Sequence, residues 1–353
     1  MKAAKKTLKK LDSISPSRFF VMKRCSYRVV LANTYGNPLL PYPPNSHLGN
    51  VIHECIRLIL TNQIQDDIAF NAIWAELIKK EEVALKKMGF EFLIPLKKSV
   101  KKGYAIKKLQ VKSLMYSKNN NKKDRQKKQI VYDHERWMRS EDGLIVGRAD
   151  LITEREQCTK ITDFKTGRIV EEEGDIKEKI EDQMKLYAYL YNEENGNFPD
   201  ELLIIDLSQK EYLVEFSIEE CILLAKEAKQ ILQETNNKVR KNLSEKLANA
   251  SHDNCRLCLY KPACEFHWNL DQDEKSDFVN LKGKLSEVKQ FTNGDITARI
   301  NNNGEEFVIS HLDGSYANQL KGYSQVRLEF YNVLKSDHPG RYRAIKTTSI
   351  YEE

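Results

Sequence analysis

GRADLITEREQCTKITDFKTG, residues Gly147–Gly167, decides how this chain is read. It places Asp150, Asp163 and Lys165 on two apolar runs that read as adjacent strands. Acidic residues are depleted from strands and are costly to bury without a partner. A lone acid at a strand end is most simply an ion-pair former. Two of them, with a lysine two residues after the second, point to a divalent cation held by oxygen ligands and a positive charge beside the reacting group. Asp163 and Lys165 share one strand face because side chains alternate with period two. Asp150 needs only a neighbouring strand to reach the same cation, and Thr166-Gly167 gives a sharp exit. The pattern is that of a metal-dependent hydrolase.

The 353 residues suffice for a substantial core and for more than one domain. With 41% hydrophobic residues, no stretch approaches the roughly 20 apolar residues of a membrane span. The basic N-terminus, MKAAKKTLKKLDS, is not followed by an apolar signal region, so a cytoplasmic protein without membrane partners is expected. Net charge is only +6, from 57 basic and 51 acidic residues, but its placement is uneven. The segment 97–128 is a lysine-rich block with Asp124 as its one acid. Such a block is an electrostatic footprint for a phosphate backbone, with Lys101, Lys102, Lys107, Lys108, Lys122 and Lys123 as expected contacts. It also reads as a solvated, partly disordered insertion, which SKNNNKKDRQKK supports, and the two readings are compatible.

Along the chain, Ser15 and Pro16 predict a helix start, with Ser15 as N-cap. Further helices are predicted over about Leu48–Leu60, Asp66–Lys87, Lys177–Tyr191 and from Ile218 to the Leu243 region. Strands are predicted over Glu91–Leu96, Ile130–Met138, Leu144–Thr153 and Lys160–Lys165, then a hairpin from Leu202–Leu207 and Tyr212–Phe216. This order implies a mixed α/β core. Residues 281–353 change texture to five strand-like segments, most separated by turn signals such as Asn303-Gly304. A short helical stretch, Tyr316–Leu320, falls between the third and fourth. That predicts a small OB-like barrel, with an SH3-like barrel as the competing architecture. Phe291, Phe307, Tyr323 and Tyr331 are either stacking platforms for single-stranded nucleic acid or barrel core. No GxxxxGK segment is present, so the chain is not expected to carry an ATP motor.

Two further segments bear on the acids. Gln183 and Tyr187 lie four apart on one helical face. His53 lies on a predicted helix in HLGNVIHECIRL, four residues after Gly49; a lone helical histidine is usually structural. Taken in order, GNVIHE, GRADLI, TDFKTG and QMKLY resemble the RecB-like branch of the PD-(D/E)XK nuclease superfamily. That branch includes the nuclease domains of bacterial helicase–nucleases such as AddB and the CRISPR-associated RecB-like exonucleases. The resemblance covers roughly residues 13–268 and implies a restriction-endonuclease-like core, a mixed central sheet flanked by helices. It makes His53, Asp150, Asp163 and the backbone carbonyl of Phe164 the ligands of Mg²⁺ or Mn²⁺. Lys165 would then position or polarise the attacking water, and Gln183 and Tyr187 would orient the lysine region and the DNA strand.

The seven cysteines are an odd count, which argues against a disulfide framework. Cys255, Cys258 and Cys264 offer three ligands of a metal site that needs a fourth, for which Cys25 is the best placed. The resemblance implies a 4Fe–4S cluster on these four; a structural Zn²⁺, with His252 or His267 substituting as a ligand, is the alternative. Tying Cys25 to Cys255 restricts the unfolded chain by roughly 5 kcal/mol, by analogy with other cross-links, so the site reads as a staple. Cys55, Cys158 and Cys221 read as small core residues.

The expected organisation is therefore a nuclease domain over 1–270 and an OB-like domain over 278–353. The expected activity is metal-dependent hydrolysis of DNA, as an exonuclease on single strands or ends, in repair, recombination or antiviral defence. A nuclease subunit that needs a helicase or ATPase motor or a defence-complex partner on another chain, or a DNA-end-binding adaptor that retains the fold, are the alternatives.

Overall fold

The computed structural model describes residues 5–120, 131–155, 158–270, 276–322 and 325–353. The first part is built on helices α1 (Pro16–Arg24), α2 (Ser26–Tyr35), α3 (Pro44–Leu60), α4 (Asp67–Lys87), α5 (Leu96–Val100) and α6 (Lys102–Asn120). Strands β1 (Val131–Arg139), β2 (Val146–Arg155) and β3 (Cys158–Lys165) follow, then α7 (Glu178–Asn195), β4 (Glu201–Asp206), β5 (Glu211–Val214) and α8 (Ile218–Arg240). Two short helices, α9 (Ser244–Leu247) and α10 (His252–Arg256), lead into 3-10 turns through Asn269.

Local chemistry sets several of these boundaries. The Asp66 carboxylate accepts from the Ala69 N–H and starts α4. Ser217 and Glu220 close a capping box on α8. Ser15 occupies the N-cap position of α1, but its hydroxyl pairs with that of Ser17 rather than with the helix backbone.

The strands form one sheet in the order β1-β2-β3-β4-β5. β3 and β4 are parallel and the other neighbours antiparallel. A parallel pair needs a crossover, which α7 supplies. Ile152 and Ile161, paired in register, pack with Phe19, Met22, Met184 and Leu190 of α1 and α7. On the other side, Leu151 and Phe164 pack with Ile52, Cys55, Phe70, Trp74 and Val111 of α3, α4 and α6. The sheet is thus covered on both faces, with β1 and β5 at its edges.

Three sequence expectations are corrected here. Residues 91–96 form no strand: a 3-10 turn, Glu91–Leu93, leads into α5. Pro95 lacks the N–H a ladder needs, and Phe90 and Leu93 bury themselves against Leu85 instead. The basic segment is, up to Asn120, not a disordered insertion but α5 and α6, because Val111 and Met115 bury against α3. Cys158 is half-buried at the start of β3, whereas Cys55 and Cys221 are core residues as expected.

The remaining strands, β6 (Phe278–Gln290), β7 (Ile296–Asn302), β8 (Glu305–Leu312), β9 (Arg327–Lys335) and β10 (Arg341–Glu352), close a barrel in the order β10-β8-β7-β6-β9. β8 and β10 pair in parallel, and helix α11 (Ala317–Lys321) lies between β8 and β9. Register shifts in β6 and β10 bend the strands enough to close the ring. The barrel is seated on the first part. The Tyr351 hydroxyl donates to the Leu39 carbonyl, and the Lys261 ammonium donates to Asn332 Oδ1 at 2.9 Å.

Tyr331 is therefore no stacking platform: it is fully buried between Trp268, His267 and Tyr351. Phe307 is half-buried against the barrel core, Phe291 is exposed, and Tyr323 lies outside the described residues. Among the described residues no helix is long and apolar enough to cross a membrane.

Candidate active site and cysteine cavity

Asp150 in β2 and Asp163 and Lys165 at the end of β3 meet α3 on one side and α7 on the other. The Asp150 carboxylate accepts the Phe164 N–H through Oδ2 at 2.9 Å, and His53 Nδ1 of α3 lies 3.6 Å from the same oxygen. Asp163 is buried, and its Oδ2 stands 2.8 Å from the Lys165 ammonium. Gln183 of α7 completes the link. Its Oε1 accepts from Lys165 at 2.9 Å, and its amide donates to Asp163 Oδ1 at 3.1 Å and to the Tyr187 hydroxyl at 3.3 Å. Tyr187 in turn donates to the Arg148 carbonyl at 2.8 Å, which ties α7 to β2.

Gly147 makes this approach possible. A Cβ there would stand 2.8 Å from Pro16 Cδ and 2.9 Å from Tyr187 Cε1. His53, Asp150, Asp163, Lys165, Gln183 and Tyr187 are thus brought together.

The two acids differ in environment. Burial works to raise Asp150, but the hydrogen bond and charge of His53, the Phe164 N–H and Lys165 hold it below the ordinary carboxylate value. Burial also works against the charged form of His53, and the hydrogen bond and charge of Asp150 overcome it, leaving the imidazole above its ordinary value. Asp163 is raised by burial first, with Asp150 adding and Lys165 opposing. Burial likewise raises the Tyr187 phenol, so it stays a neutral donor.

The donor types, two carboxylates and an imidazole, are those that suit a divalent cation. Asp163 Oδ2, buried, accepts no hydrogen bond among the described residues, and its neighbour is the Lys165 ammonium. As the side chains stand, no group of three or more His, Cys, Asp or Glu among the described residues is arranged to hold a metal ion.

The lysines of the basic segment divide. Lys101 and Lys102 are exposed. Lys107 reaches towards the site and donates to the Thr166 carbonyl at 3.2 Å, and Lys108 donates to Asn71 Oδ1 at 2.8 Å while lying over the Phe70 and Trp74 rings. Both are half-buried. Lys122 and Lys123 lie outside the described residues.

Sequence reading missed two further cations on the elements that carry the site. Arg148 is exposed two residues before Asp150, and Arg57 stands one helical turn after His53. Both pair with Glu135 of β1, at 3.4 Å and 3.8 Å. The period-two spacing from Asp150 was the available signal for Arg148.

Cys25, Cys255, Cys258 and Cys264 all line one small cavity of about 20 Å³, together with Lys261 and His267. None is in a disulfide. Burial raises the thiols of Cys255 and Cys258 and pushes Cys264 up to about 12, as expected for protonated sulfurs in an apolar setting. The His267 imidazole hydrogen-bonds the Cys264 carbonyl through Nδ1, and burial pushes it down to about 4. His252 is exposed at the start of α10.

A family model described as the PD-(D/E)XK nuclease superfamily matches residues 13–265. No curated protein matches. Among solved structures, the crystal structure of SSO0001 is 15% identical, covering 52% of this chain and 80% of that one at a TM-score of 0.26. The Ifi202 HINa domain in complex with 20bp dsDNA is 10% identical, covering 64% and 99% at a TM-score of 0.20. At those TM-scores neither likeness carries an argument.

Proposed function

The chain belongs to the PD-(D/E)XK nuclease superfamily, whose members are typically nucleases that use divalent metal ions, and from that premise we propose a Mg²⁺- or Mn²⁺-dependent deoxyribonuclease of the RecB-like type. The observation that carries the proposal is the convergence of His53, Asp150, Asp163 and Lys165, with Gln183 bridging Lys165 and Asp163. His53, the two carboxylates and the Phe164 carbonyl would hold the cation. When bound it supplies a polarised scissile phosphate and a more acidic water.

The chain's own residues do the rest. Lys165, held between Asp163 and Gln183, presents a fixed ammonium where negative charge develops on the phosphate. Gln183 sets the position of Lys165, and Tyr187 fixes Gln183 to β2. Arg148 and Arg57 lie beside the acids as phosphate contacts.

We assign two structural parts to this nuclease. Residues 278–353 form an OB-like domain beside a nuclease domain over 1–270; the parallel β8–β10 pair and the helix between the third and fourth barrel strands support this. The four cysteines hold a 4Fe–4S cluster, or Zn²⁺ in its place, supported by their convergence on one cavity. Single strands or DNA ends are the expected substrate.

A digestion time course on linear, circular and flapped DNA, with Mg²⁺ or Mn²⁺ and without ATP, tests the function. Cleavage without a partner supports a self-sufficient enzyme, and cleavage only on adding a motor protein supports a subunit. Lys165→Ala should lower cleavage about 100- to 1,000-fold while DNA binding persists. Wild-type rates in that variant would remove Lys165 from the mechanism.

A further inference from the structure

Trp137 is the one large aromatic side chain of β1 that stands mostly in solvent, at 67% exposure. β1 is one of the two edge strands of the nuclease sheet. Trp137 pairs in register with Arg148, whose guanidinium lies over the indole at 5.7 Å. Arg148 shares its strand face with Asp150, about 7 Å along β2 at the usual strand rise. Glu135 holds Arg148 at 3.4 Å and also reaches Arg57, on the helix that carries His53.

An exposed indole is costly in water, and here it lies under the Arg148 guanidinium, across the ladder from a residue two before a site acid. A flat π-surface next to fixed guanidinium groups suits one ligand chemistry, an unpaired base whose backbone phosphates lie on the arginines. A base inside a duplex has both faces stacked and cannot use the surface.

We infer that Trp137 and Arg148 form a stacking platform for an unpaired base of single-stranded DNA, one step along β2 from Asp150. The inference rests on the nuclease reading for its substrate class. It deepens that reading by naming the residue that separates single strands from duplex. Trp137 is a binding residue for the strand, not a catalytic one.

The test measures binding by the full chain in EDTA, so that it does not depend on cleavage. Trp74 is buried and Trp268 half-buried, which leaves Trp137 as the exposed indole. A single-stranded oligonucleotide should quench tryptophan emission in the wild type and leave Trp137→Phe unquenched. By anisotropy of the labelled strand, Trp137→Ala should bind about tenfold more weakly, while Trp137→Phe stays within about threefold of wild type. Affinity for blunt duplex should move in neither variant. Unchanged single-strand affinity in Trp137→Ala, quenching that persists in Trp137→Phe, an equal loss on duplex, or no single-strand binding by the wild type would each overturn the platform. Absence of cleavage with Mg²⁺ or Mn²⁺ would instead count against the nuclease reading and leave these measurements standing.

Discussion

Asp182 sits next to Gln183 on α7 but faces Lys23 of α1, which also pairs with Glu178 of α7 and Glu227 of α8. Burial pushes it up from the usual 3.8 to about 6, with Lys23 opposing and the two glutamates adding. The folded protein therefore binds this proton more tightly than the unfolded chain does. Its contribution to stability is present in acid and falls as pH rises from about 4 to about 6, then stays flat. Asp182→Asn should remove that fall. Thermal midpoints at pH 4 and pH 7.5 check it: relative to wild type, the variant should gain stability at the higher pH. An identical pH dependence in both proteins would refute the assignment. At the same scale, His53, Asp150, Asp163, Lys165, Gln183 and Tyr187 were legible before any fold was known. Asp163–Lys165 and Gln183–Tyr187 sit two along a strand and four along a helix, spacings that fix which side chains share a face, whereas Asp150 was legible as a second strand acid and His53 only through the family resemblance. Arg148 and Trp137 were not legible as a pair, because their contact depends on the β1–β2 register.

The meeting of β2, α1 and α7 turns on the absent side chain of Gly147. Its neighbours at 2.8–2.9 Å are a proline ring and the Tyr187 ring, neither able to swing aside without moving its helix. Gly147→Ala should therefore cost about 1–3 kcal/mol. It should also lower cleavage by displacing Tyr187 from the Arg148 carbonyl. A denaturant melt and a cleavage assay check the two effects, and wild-type values in both would show that α1 or α7 yields freely. Elements with strong local signals, such as α4, α7, α8 and the barrel strands, lay close to their sequence expectations. α2 and α6 did not. The lysine content of α6 masks its single apolar stripe through Val111 and Met115, and only the partner helix α3 makes that stripe decisive.

Across the whole molecule, the cysteine cavity joins the ends of the nuclease part, and the barrel rests on the same region. Lys261 lines the cavity, is nearly fully buried, and donates to Asn332 and Asn280 of the barrel. Burial pushes its ammonium down to about 8. If the cysteines hold a metal group, Cys258→Ser should lower the thermal midpoint by on the order of 10 °C, as loss of a long cross-link would. Bound iron or zinc should be lost in parallel, counted on protein purified with and without air. A variant that keeps both its metal and its midpoint would exclude Cys258 as a ligand.

The sequence by itself determined the chemistry: which acids, lysine, glutamine and cysteines the chain commits, and the order of helices and strands that carries them. Tertiary structure decided what surrounds them. The buried state of Asp163, the bridging role of Gln183, the gathering of distant cysteines on one cavity and the Trp137–Arg148 pair all depend on strand register and helix docking. Those contacts join residues far apart in sequence, which no local spacing encodes.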